Sequence, residues 1–149
     1  MTIAIDFDGT CVTHEYPNIG HDIGAIPVLK ALVNNGHKLI LYTMRSGKTL
    51  TDALNWFKDN DISLYGINEN PTQKNWTFSP KIFAHIYIDD ANLGVPLSRI
   101  TNRPFVDWRK IIIELADKGC LLPEEIGSLI GEVAKVQDEL SLCFNEYSR

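Results

Sequence analysis

The sequence predicts an α/β domain: a mostly parallel sheet flanked by helices, followed by a helical C-terminal extension. Three observations predict it. The chain opens on a short apolar run, Thr2-Ile3-Ala4-Ile5, cut off by Asp6-Phe7-Asp8-Gly9-Thr10. A helix-like pattern and a second apolar run, His37 to Thr43, follow closely. A later run, His85 to Ile88, again stops on acids, Asp89-Asp90. Strand, helix and strand with short connections form a right-handed βαβ unit, whose strands are parallel. The 149 residues fit one domain able to bury a real core, expected over residues 1–103 with the extension over 104–149.

Apolar runs of four to eight residues ended by a turn signal read as buried strands, which assigns the first strand to the stretch before Asp6. The next residues, Cys11 to Gly20, are polar and broken by Pro17 and Gly20, as in a loop or small flap. Placed just past the acidic strand end, this flap hangs over the site, with His14, Glu15 and Tyr16 in reach of a substrate. His14 and His21 are a weak pattern for a metal pair, and solvated loop histidines are the plainer reading. From His21 to Asn35 the positions Ile23, Ile26, Val28, Leu29, Leu32 and Val33 fit a helix with Pro27 in its first turn, stopped by Asn34-Asn35-Gly36.

Met44-Arg45-Ser46-Gly47-Lys48-Thr49 has the look of a phosphate-binding P-loop tail, but that motif needs a glycine where Tyr42 stands. A helix capped by Ser46 or Thr49 and running to about Asn60 fits better, with Leu50, Ala53, Leu54 and Phe57 facing inward. Ile62 to Ile67 reads as a short third strand, and Asn68 to Pro80 as loop. His85 begins the acid-tipped strand at its far end and reads as structural. Pro104 to Lys118 reads as one helix stopped by Gly119. Pro123 to about Phe144 reads as another, striped by Ile126, Leu129, Ile130, Val133, Val136 and Leu140. That stripe packs on the domain or, in the sharper reading, joins subunits in a homo-oligomer.

Composition narrows the function classes. A hydrophobic share of 44% and a charged share of 22% are ordinary for a globular protein, and the net charge of −5 argues against general nucleic-acid binding. No apolar run reaches the roughly 18 residues of a membrane span, and no secretory leader precedes the first strand, so a cytoplasmic location is expected and no membrane partner. The three cysteines are odd in number and widely spaced, which suggests neither a disulfide framework nor a zinc site.

The acids carry the chemistry. Strand side chains alternate between faces, so Asp6 and Asp8 are expected on one side and Phe7 on the other. Two like charges side by side are costly unless a cation or a reaction needs them. The bland alternative is a strand end where both acids serve a turn, but turn chemistry needs only one such side chain. Gly9 lets the backbone turn away with positive φ. In parallel sheets ligands bind beyond the carboxyl ends of the strands, so the two pairs, Asp6 with Asp8 and Asp89 with Asp90, can converge.

The ordered set Asp6-x-Asp8-Gly9-Thr10, Thr43 at a strand end, Lys81, and Asp89-Asp90 resembles the four motifs of the haloacid dehalogenase (HAD) superfamily of phosphatases. The resemblance covers about residues 2 to 100. It implies a Rossmann-like core and a magnesium-dependent phosphomonoester hydrolase that works through an aspartyl-phosphate. By that resemblance Asp6 is nucleophile and metal ligand. Asp8 is general acid and base, and ligates metal through its backbone carbonyl. Thr43 and Lys81 bind the phosphoryl group, Lys81 also pairing with Asp6, and Asp89 and Asp90 complete the Mg2+ site. Gly9 and Arg45 are further candidates for phosphate contact, with a surface salt bridge the alternative for Arg45. Lys48 and Lys74 read as solvated. The spacings from Thr10 to Thr43 and from Thr43 to Lys81 leave no room for the large cap domain of many relatives, so an open site for a phosphorylated substrate is implied.

Two other classes compete. A phosphorelay receiver also has acids, a Thr and a Lys on an α/β fold, but it is phosphorylated on a later strand, which the early D-x-D-G-T opposes. A non-enzymatic phosphate-binding module would carry the same groups without turnover.

Overall fold

The computed structural model describes residues 1–146, with side chains to residue 145. Four parallel strands form the sheet: β1 (Thr2–Ile5), β2 (Lys38–Leu41), β3 (Gly66–Ile67) and β4 (Ile86–Ile88), in the order β3-β2-β1-β4. Helix α1 (Ala25–Asn34) makes the first crossover and α2 (Gly47–Asp59) the second. A small antiparallel pair, β5 (Leu97–Ser98) and β6 (Phe105–Val106), precedes α3 (Trp108–Asp117) and the long α4 (Pro123–Glu146). Among the described residues no helix is long and apolar enough to cross a membrane.

Register explains the core. Ile3 pairs with Leu39 and Ile86, and Ile5 with Leu41 and Ile88, so these apolar side chains share one face. Phe7 continues that face and packs against Trp56 and Phe57 of α2. One buried cluster joins this face to Val28, Leu29 and Leu32 of α1 and to Trp108, Ile112 and Val133 of the last two helices. Tyr87, paired with Ala4, lies on the other face, where its hydroxyl donates to the Ile82 carbonyl and accepts from Ala84 N–H. That segment is held by Gln73, whose amide donates to the carbonyls of Ser79 and Lys81 and accepts from Phe83 N–H.

The C-terminal helices pack into the same core as the sheet. Phe105, Val106 and Trp108 are fully buried in the same cluster as β1, so the C-terminal segment helps to complete the core. The expected helix from Pro104 starts late, because Asp107 caps it, accepting from Arg109 N–H, and Phe105-Val106 pair with β5 instead. The third strand shrinks to two residues, and the first helix begins at Ala25, after Gly24 at φ +96°. His85 is structural as expected: its Nδ1 accepts from Thr2 N–H at the start of β1.

Gly24 also marks where α4 presses on α1. A Cβ there would sit 2.7 Å from Val133 Cγ1, in a backbone conformation that side chains rarely adopt. Gly24→Ala is expected to lower stability by about 1–3 kcal/mol, measured by urea unfolding.

Candidate functional site

The site forms where β1 and β4 end side by side. Asp6 follows Ile5 and donates its N–H to Ile88 O, so the first acid and the pair after Ile88 meet across neighbouring parallel strands. Asp6, Asp89 and Asp90 each bring a carboxylate oxygen to within 4.8 Å of the others. Thr10 ties them together: its hydroxyl donates to Asp6 Oδ2 at 2.8 Å and accepts from Asp90 N–H at 3.1 Å. Burial pushes the Asp6 carboxyl up to about 7, opposed by the Thr10 bond and reinforced by the charges of Asp89 and Asp90. Burial also raises Asp89, with Asp90 beside it adding to the rise and the Ala91 N–H bond opposing it. Crowded carboxylates that resist ionising together are a donor set that a hard divalent cation would relieve, so these three residues could hold one.

Asp8 does not join them. β1 ends at Ile5, and the chain then turns about Phe7, whose carbonyl accepts from the N–H groups of Thr10, Cys11 and Val12. The Asp8 side chain lies outside the group that Asp6, Asp89 and Asp90 form. Both Asp8 oxygens are taken by Arg45 at 2.7 Å, one from Nε and one from Nη2.

Arg45 is also reassigned. It is 3% exposed, and its remaining N–H groups reach the carbonyls of Pro17, Asn18 and Thr49. A guanidinium has five donors, and all five are spent on protein oxygens, so none is left for phosphate. Neither is this a surface salt bridge; it is a buried hub joining the flap, the start of α2 and the acidic loop. Its rings of contact include Phe7 and Tyr16.

Gly9 is corrected in the same way. Its N–H donates to Val12 O and its carbonyl accepts from Val106 N–H, so its backbone is engaged within the fold. What Gly9 supplies is space at φ +81°: a Cβ would lie 2.0 Å from His14 Nε2 and 2.7 Å from Asp90 Oδ2. That space admits His14, which meets Asp90 Oδ2 at 2.7 Å with its side chain nearly buried. The solvated reading of His14 is overturned.

Thr43 is buried at the end of β2, its N–H on Asn68 Oδ1 and its hydroxyl oxygen accepting from Arg45 N–H. The hydroxyl proton has no acceptor among the described residues, so it is available to a ligand. Lys81 is not brought to the acids. It is exposed and pairs with no carboxylate among the described residues, because the Gln73-held segment carries it along the β4 edge. There it lines a cavity of about 770 Å³ with Tyr42, Ile86, Tyr87 and Asn92. None of Asp6, Asp8, Asp89 and Asp90 lines this cavity.

Sequence reasoning missed Trp108, which donates its indole N–H to Thr10 O at 2.7 Å across 98 residues of chain. No local signal in the sequence links the two.

No protein-family model matches the sequence, and no curated protein matches it. Among solved structures, a conserved protein from Bacteroides thetaiotaomicron is 38% identical, covering 80% of this chain and 91% of that one, with a TM-score of 0.65.

Proposed function

The chain belongs to the same family as the conserved Bacteroides thetaiotaomicron protein, and we propose that it is a metal-dependent phosphomonoester hydrolase of the haloacid dehalogenase type. One observation carries this reading: three carboxylates from two strand ends, eighty-odd residues apart in sequence, converge within 4.8 Å around a hydroxyl that bonds Asp6. Asp6, Asp89 and Asp90 would hold Mg2+, which supplies charge neutralisation for an anionic ester at the carboxylates.

Asp6 is the group placed to attack. A carboxylate oxygen of Asp6 adds to phosphorus as the ester oxygen departs, giving an aspartyl-phosphate that water cleaves to regenerate the carboxylate and inorganic phosphate. Thr43 donates to a phosphoryl oxygen. With Arg45 consumed, the cation for the transferring group is Lys81, whose flexible stem must turn from the β4 edge. Asp8 takes the proton from water and gives one to the leaving oxygen, for which it must share or leave its fork with Arg45. The net charge of −5 disfavours nucleic acid as the substrate.

A panel of phosphate esters tests this. Release of inorganic phosphate is expected with Mg2+ and not with chelator, and the absence of release from every ester by folded protein sinks the hydrolase reading. The Arg45 fork favours a second reading, a phosphate-binding protein that does not turn over. It would bind inorganic phosphate, read by calorimetric titration, and release none from any ester.

A further inference from the structure

We propose that Trp108 is a positioning residue for the acid cluster, fixing Asp6 through Thr10 in the orientation that holds a divalent cation. Its catalytic consequence rests on the hydrolase reading; its effect on metal binding does not.

Trp108 is the largest fully buried side chain and opens α3. Its indole N–H reaches the carbonyl of Thr10, and two residues earlier Val106 N–H reaches the carbonyl of Gly9 at 2.9 Å. The loop after Asp8 is thus gripped at successive carbonyls by one segment. Thr10, itself fully buried, bonds Asp6 with its hydroxyl and receives Asp90 N–H on the same oxygen. A shift of the Thr10 backbone therefore changes the separation of Asp6 from Asp90. The start of α3 is fixed in turn, because Asp107 accepts from Arg109 N–H and from Gln137 Nε2 on α4.

The plainer role for a buried indole is to fill the core and find any acceptor. Trp108→Phe separates the two, since it keeps most of the ring and removes only the donor. Positioning predicts a Mg2+ affinity weakened roughly ten-fold or more by calorimetric titration, the usual cost of losing a partner that orients a metal ligand. It also predicts a lower kcat with KM little changed, which a packing role would not produce. Trp56→Phe, the same exchange against Phe7 and away from the acids, leaves the affinity at the wild-type value.

Thr10→Val is expected to weaken Mg2+ as well, and Thr10→Ser to restore it. Should Trp108→Phe fail to fold, the indole N–H resonance of Trp108 in the intact protein decides, assigned with Trp56→Phe and Trp76→Phe. It shifts on Mg2+ titration if the relay is real, and a Mg2+ response confined to residues outside it overturns the proposal. Equal Mg2+ affinity in Trp108→Phe and wild type overturns it too, as does a wild type that binds no Mg2+. Normal Mg2+ binding without phosphate release from any ester defeats only the hydrolase reading.

Discussion

Asp6→Asn is expected to abolish phosphate release and, at the same time, to stabilise the metal-free protein. The loss, on the order of 10³-fold or more, follows from removing the nucleophile. The gain follows from the carboxyl's position. Asp6 titrates at about 7 in the folded chain against an ordinary 3.8, so the folded state holds its proton more tightly than the unfolded state. Between those values the unfolded state binds fewer protons, and stability falls as pH rises. The cost is complete above about pH 7 and absent below about pH 4. With allowance for partial exposure it comes to roughly 2–4 kcal/mol. Asparagine keeps an oxygen for the Thr10 hydroxyl and carries no charge. Calorimetric scans of the metal-free proteins should therefore show the variant melting higher by about 5–10 °C at pH 8 and by little at pH 4. A variant that melts lower at pH 8 would mean that the acids are not crowded as described. Mg2+ should raise the wild-type melting temperature most above pH 7, where Asp6 is free to ligate.

Arg45→Met should be the most damaging change outside the core. It strands Asp8 without its partner and leaves the carbonyls of Pro17, Asn18 and Thr49 short of a donor. Breaking such a buried pair costs about 3–5 kcal/mol, read from urea midpoints at unchanged slope. Arg45→Lys recovers little, because an ammonium has three donors and no planar fork. Arg45→Met with Asp8→Asn should recover part of the loss, since it removes the stranded charge. If the single variant loses under 1 kcal/mol, the hub is not holding the flap.

The sheet was legible because its strands are bounded apolar runs and its helices end on glycines such as Gly36 and Gly119, both at positive φ. The convergence of Asp6 with Asp89 and Asp90 was legible for a topological reason: parallel neighbours present their carboxyl ends together. The two-residue strands were not, since a pair such as Leu97-Ser98 carries no period to detect. Gly9 and Arg45 misled because motif reasoning counts donors without knowing which of them the fold consumes. His14 and Trp108 were out of reach for another reason. Their partners lie 76 and 98 residues away, and such pairings depend on packing that no local pattern encodes.

The grip of Val106 and Trp108 on Gly9 and Thr10 has a bearing on how the molecule comes into being. Chains emerge from the ribosome N-terminal end first. The acidic loop is made well before its partners, and two of its carbonyls find their donors only when residues 106 and 108 appear. Until then the nascent chain can pair β1 with β2 but cannot finish the loop between them. Synthesis must run past Trp108 before the acids are locked in place, so a product released just short of it would carry Asp6, Asp8, Asp89 and Asp90 and still lack the site.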